Sequence, residues 1–294
     1  TCGRSGIWFD GSVGDVLSSM LPGTSARMGA INLSGNNVNA SEIGINLDLC
    51  FYETALREIG DITMNGNRII SGFDGINIEE LMFDIVVPGI DVIVGDTLMA
   101  GNHIETLQTD TYGLDLNWYG AYSMNGGSLT WGDITISDNN NTITAPYGIY
   151  FWGEFADFTD VVVSVGEINM SNNRITTNES DAMLIDWWDI SGIYGSTIMT
   201  FGETRTDGNV INSEGFAIYI WFDLIQDIYD TTKIDIGDFH MEGNQINAPS
   251  WGGIYFDGDA FNNVDPGVSI RMGSLNAIAN VITADMGIAM LADY

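Results

Sequence analysis

Apolar and polar residues alternate in short runs along nearly the whole chain, and the runs come in two kinds. After a recurring glycine, the second and fourth positions are apolar and the position between them is usually polar, as in Ile31 and Leu33, Ile62 and Met64, Ile134 and Ile136, Ile168 and Met170, and Phe239 and Met241. A second alternation follows, in the pairs Ile7/Phe9, Ile45/Leu47, Ile76/Ile78, Leu114/Leu116, Ile149/Phe151, Met183/Ile185, Ile218/Ile220, Ile254/Phe256 and Ile288/Met290, all apolar. A period of two places alternate side chains on opposite faces, so both runs predict β-strands. A further apolar residue stands just before each recurring glycine (Met28, Ile59, Val94, Trp131, Val165, Phe201, Ile236, Met272), out of phase with the strand that follows. The buried face switches there, so the glycine and its acidic neighbour predict a corner.

The runs repeat in fixed order. A Gly is followed seven residues later by an Asn, with Ile or Val two residues beyond, at Gly29/Asn36, Gly60/Asn67, Gly95/Asn102, Gly166/Asn173, Gly202/Asn209, Gly237/Asn244 and Gly273/Asn280; Gly132 reaches Asn141 after two extra residues. Successive asparagines lie 31–39 residues apart, a solenoid period. Strands joined by corners with no helical stretch between them predict an all-β chain, a single-stranded β-solenoid (right-handed parallel β-helix) of about eight to nine turns. Residues 1–27 read as a partial N-terminal turn and residues 28–294 as one continuous eight-repeat solenoid. Rungs about 4.8 Å apart predict a rod about 40 Å tall. The segments between the second alternation and the next glycine, such as 79–92 and 222–233, vary most and predict a further strand and a protruding loop.

Stacking turns repeated positions into columns. Asn36, Asn67, Asn102, Asn141, Asn173, Asn209, Asn244 and Asn280 predict an internal ladder, because a side-chain amide donates on one side and accepts on the other. The residue after each corner glycine is acidic in six consecutive turns: Asp61, Asp96, Asp133, Glu167, Glu203 and Asp238. Like charges one rung apart repel unless compensated. Ca2+, which binds carboxylate and carbonyl oxygens, is one candidate counter-ion, and turn amides at the corners are the other compensation. Outward positions of the second alternation carry Trp8, Tyr150, Trp152, Tyr219, Trp221 and Tyr255, and Trp187 and Trp188 are expected in nearby loops. Such rings predict lateral contact between copies or a stacking platform for sugars, unless loops cover them.

Charge narrows the partners. The 294 residues carry 40 acidic and 8 basic side chains, a net charge of −32 with Lys233 the single lysine. That excludes nucleic acid and anionic lipid and favours cations. No window of roughly 18 uninterrupted apolar residues predicts a membrane span. A start at Thr-Cys-Gly reads as a processed, exported form, and the sequons at Asn32, Asn39, Asn140, Asn169 and Asn178 agree with an extracellular, cell-surface address. Cys2 and Cys50 permit one bond within the chain or bonds between chains.

Little reads as catalytic. The two histidines, His103 and His240, fall in different columns with no paired acid at catalytic spacing, and there is no phosphate loop, zinc spacing or serine elbow. Pectin and pectate lyases and polygalacturonases are β-helices, but the Gly-His-Gly and Arg-Ile-Lys elements of polygalacturonases are missing and a polyanionic substrate would be repelled. The chain opens and closes on the same half-repeat, and Arg27-Met28-Gly29 is rephrased as Arg271-Met272-Gly273. Either the short N-terminal segment folds over one end, or unpaired strand edges add a neighbour of the same kind; the matching phrases favour continuation.

Units such as IGDITMNGNRIISGFDGINI (59–78) resemble the β-helical repeats of archaeal surface proteins. An acidic, lysine-poor chain with two cysteines is similar to a tubular sheath protein of filamentous methanogens. The resemblance implies a non-enzymatic homopolymer of the cell envelope. The alternatives are a secreted polysaccharide-active enzyme and a carbohydrate-binding adhesin.

Overall fold

The computed structural model describes residues 5–10, 26–52, 56–84, 89–118, 121–137, 141–258 and 261–292. These contain no helix. Their strands form three sheets of 8, 8 and 17 strands, and the pairings are parallel throughout, as at Val92–Leu129, Ile168–Thr204 and Ile220–Phe256. The protein is a β-solenoid.

One turn shows how the sequence makes the coil. Leu56–Ile59 lies in the first sheet, Ile62–Thr63 in the second, and Arg68–Ser71 and Ile76–Asp84 in the third. Ile59 and Ile62 are both buried although three residues apart, so the chain bends between them at Gly60-Asp61. The glycine is required by stacking: a Cβ on Gly95, the equivalent residue one turn on, would lie 2.7 Å from the Asp61 backbone nitrogen. The second corner is sharper. Where it is described, the residue before the ladder asparagine is left-handed, with φ of 73° at Gly35, 64° at Gly66, 65° at Gly101, 59° at Asn172 and 57° at Ala279. Glycine and asparagine tolerate that region, whereas alanine there costs about 1–2 kcal/mol.

The core fills the coil with the residues of the alternating pattern. Ile45, Leu47, Ile76, Ile78, Leu114, Leu116, Ile218 and Ile220 have no exposed surface. Each such side chain contributes roughly 1.5–3 kcal/mol by burial.

Two expectations need correction. The first and second sheets are eight strands deep, so seven steps of about 4.8 Å give a stack of roughly 34 Å, slightly below the expected height. The further strand expected in segment 222–233 is present, beginning at its last residue as Lys233–Ile236, but there is no protruding loop before it. The strand Ile218–Ile228 runs through it and meets Lys233–Ile236 after a tight turn. The pattern was hard to see because the inward residues become three apart (Phe155 and Phe158, Ile190 and Ile193, Ile225 and Ile228) around left-handed Asp157, Gly192 and Asp227. A corner, not a loop, breaks the alternation. In the companion segment 79–92 the expected further strand is Ile90–Val94, and residues 85–88 lie outside the described part.

The two ends differ. In the first described rung Ile7 and Phe9 are half-buried, while their equivalents in the last strand, Val281–Ala292, are more open, Ile288 52% and Met290 63% exposed. Their register partners one rung below, Ile254 and Phe256, are buried.

Candidate functional site

The asparagines form a continuous ladder from Asn36 to Asn280. Asn67 Oδ1 accepts the Asn36 backbone N–H at 2.9 Å and side-chain Nδ2 at 3.1 Å. The pattern repeats upward: Asn102 accepts from Asn67, Asn141 from Asn102, Asn173 from Asn141, Asn209 from Asn173, Asn244 from Asn209 and Asn280 from Asn244. The spare Nδ2 hydrogens of Asn102, Asn141 and Asn173 go to the carbonyls of Met64, Met99 and Ile136. Each ladder amide thus has hydrogen-bond partners on its neighbouring rungs, and Asn102 and Asn141 use both Nδ2 hydrogens, in a structural role.

The acidic column has partners of its own. Asp61, Asp96 and Asp133 each accept, through Oδ1, the backbone N–H of the acidic residue one turn on, at 3.1, 2.9 and 2.8 Å. Asp238 accepts the Ser274 N–H at 2.7 Å. Where the column changes from aspartate to glutamate, Arg205 sits between the two, bonding Glu167 at 3.1 Å and also Glu203. Glu203, Asp238 and His240 bring one potential ligand atom each within 4.8 Å of one another. Two of the six residues expected to bind a cation thus converge with a histidine, and Arg205 shares Glu203 with them.

Three further titratable groups with raised pKa lie elsewhere, at or beside the corner that precedes the second alternation. Tyr112 stacks on Tyr150 with ring centroids 5.2 Å apart and lies 4.9 Å from Tyr147. Burial, with Asp115 close by, pushes its hydroxyl up to about 12. Three rungs on from Tyr112, Phe216 stacks on Tyr255 at 4.8 Å and packs near Tyr219 and Trp251. Burial and Asp257, which accepts the Tyr219 hydroxyl at 3.3 Å, raise the Tyr219 pKa. Asp181 accepts the Phe216 N–H at 2.6 Å, and burial pushes its carboxyl above the usual aspartate range despite that bond. Burial among the rings is the first cause of all three shifts.

The raised Asp181 makes a pH prediction. A carboxyl harder to ionise in the fold than in the unfolded chain supports folding most below its unfolded pKa, and that support is lost as pH rises through the folded value. Asp181→Asn keeps an oxygen for the Phe216 amide and removes the buried charge. It is expected to raise the melting temperature at pH 7 and to leave it unchanged near pH 3.5, as read by thermal melts at both pH values.

Of the expected aromatic contacts, Trp8 is exposed, while Tyr150, Trp152, Tyr219, Trp221 and Tyr255 are half-buried and pack among themselves and their neighbours. Trp187 and Trp188 lie within the strand Met183–Tyr194, not in loops, with Trp188 at a register shift. That shift is a bulge, which alternation alone does not reveal. Cys2 falls outside the described residues, and Cys50 lies in the strand Ile45–Tyr52, opposite Met82. Sequence reasoning missed Trp251, 57% exposed. The signal was Pro249, which interrupts a strand pattern just before it. Among the described residues no helix is long and apolar enough to cross a membrane.

With its regular amide ladder and parallel sheets, the molecule is an asparagine-laddered β-solenoid. Compared with protein-family models, curated proteins and solved structures, the chain matches none.

Proposed function

We propose that the chain is a non-enzymatic structural protein of an extracellular cell envelope, a solenoid that lengthens by stacking copies of itself into a sheath, tube or layer. The uniform parallel register carries this reading: each rung pairs with the next in the same way, so a rung of a second copy can add to Val281–Ala292, over Ile288 and Met290, as Val281–Ala292 adds to Gln245–Gly258. The acidic faces would hold water and cations, and exposed Trp8 offers a lateral contact.

Sedimentation and electron microscopy of the 294-residue chain test this. The expected result is concentration-dependent oligomers or filaments. Ile288→Lys combined with Met290→Lys is expected to hold the protein monomeric with an unchanged far-ultraviolet circular dichroism spectrum. A wild-type chain that stays monodisperse when concentrated overturns the reading.

A further inference from the structure

Trp251 projects from an insertion. Ala248 pairs with Ala284 and Gly252 with Met286, so three residues, Pro249, Ser250 and Trp251, stand where the next rung has one. The extra length lifts the indole off the sheet and leaves it 57% exposed, held on one side by Phe216 at 5.6 Å. A singly exposed ring is ordinary in itself; what distinguishes Trp251 is that an insertion presents it beside a polar cleft, with Phe216 fixing its other side.

The surroundings say what. Beside Trp251 lies an open cleft of about 620 Å³ with a polar lining that includes Asn212, Asn247, Glu179, Glu214 and Ser250. A groove of about 480 Å³ continues from it over Asn212 and Asn247, and a smaller one of about 220 Å³ lies against Asp181, Phe216 and Trp251. These volumes suit a small organic ligand or a short stretch of polymer. Asn212 and Asn247 are register partners on neighbouring rungs, both exposed, and Asn247 Nδ2 reaches Asn212 Oδ1 at a long 3.4 Å. Thr176 and Thr283 extend the same outward column by one rung on either side. The rungs are about 4.8 Å apart, which is close to the length of one pyranose ring.

We infer that this cleft binds a neutral, β-linked polysaccharide, with one sugar ring stacked on Trp251 and the hydroxyls of successive rings bonded to the threonine and asparagine column. An indole face suits the C–H face of a pyranose with equatorial hydroxyls, and primary amides donate to and accept from hydroxyl groups. Glu179 and Glu214 beside the ring turn away uronic acids and sulfated sugars, as does the net charge of −32. The same charge excludes nucleic acid, the other polymer that stacks on aromatic rings. The site lies on the outward wall of the coil and does not depend on end-on assembly.

The experiment is calorimetric titration and tryptophan fluorescence with cellohexaose, xylohexaose, laminarihexaose and chitohexaose, and polygalacturonate as the anionic control. At least one neutral oligosaccharide is expected to bind. Trp251→Ala is expected to weaken that binding at least tenfold and Asn247→Ala several-fold, with Trp8→Ala unchanged and each variant showing the wild-type circular dichroism spectrum. No binding by any neutral oligosaccharide at millimolar concentration, undiminished binding in folded Trp251→Ala, or preference for polygalacturonate overturns the inference.

Discussion

Asn141→Ala is expected to cost about 3–5 kcal/mol of stability, far more than a typical polar-to-alanine change. Asn141 has no exposed surface. Its Oδ1 accepts from the Asn102 backbone at 2.8 Å and from Asn102 Nδ2 at 3.2 Å, and its Nδ2 donates to Met99 O at 3.0 Å and to Asn173 Oδ1 at 2.9 Å. Alanine strands two donors and two acceptors in the interior, each costing about 1–3 kcal/mol if no water reaches it. The ladder is also nearest-neighbour in character, so a gap in a central rung uncouples the turns on either side. Calorimetry should therefore show a lowered and broadened transition. Asn36→Ala at the end of the ladder, where the side chain is only half-buried, should cost about 1 kcal/mol.

Asn141→Asp sharpens the test. A carboxylate oxygen would replace Nδ2 and face Met99 O and Asn173 Oδ1, two acceptors. Ionisation in that setting is opposed, so the carboxyl's folded pKa would rise above its unfolded value near 3.9. By the sign of linkage the variant is closest to wild type below about pH 4, where the proton can donate to one acceptor, and falls further behind as pH rises. Alanine at the same position should show no such pH dependence. Equal losses for both variants at pH 7 and pH 4 would place the energy in packing and not in the amide ladder.

The coil was legible in the sequence because its corners and ladder recur with the period of the turn. Gly60-Asp61, Asn67 and the pair Ile76/Ile78 each state one local demand, and stacking forces the same demand eight times. What was hard to read lies where repetition fails. The bend at Asp157, Gly192 and Asp227 uses two residue types for one left-handed conformation, so no single letter marks it. The same holds before the ladder asparagine, where Gly35, Asn172 and Ala279 share a backbone shape without sharing a side chain. The aromatic and acidic corner was seen in fragments. Tyr150, Tyr219 and Tyr255 were visible as outward rings, but Tyr112, Asp181 and Phe216 reach them only through corners of unequal length, and Trp251 only through a local insertion. Columns are set by register, which a repeat reveals; contacts across irregular corners are set by three-dimensional packing, which it does not.

Gly75→Ala is expected to destabilise the protein by about 3 kcal/mol or more, for steric and not conformational reasons. A Cβ there would overlap Ile104 Cγ2 and lie 2.5 Å from the Gly113 carbonyl oxygen. Neither neighbour can simply retreat, because Gly75 is bonded on both sides: its N–H donates to Tyr112 O at 3.0 Å, and its carbonyl accepts the Ile45 N–H at 2.9 Å. The methyl group must therefore push rungs apart. Ile104→Ala removes the apolar half of the clash and leaves the carbonyl, so the double variant should be less destabilised than the sum of the two single changes yet remain below Ile104→Ala alone. Gly35→Ala is the matched control. A Cβ at Gly35 meets nothing within 4 Å, and the change costs only what a side chain pays at φ 73°, about 1–2 kcal/mol. Urea denaturation of the four variants separates the two origins: if Gly75→Ala costs no more than Gly35→Ala, backbone conformation and not rung spacing explains the glycines that line this corner.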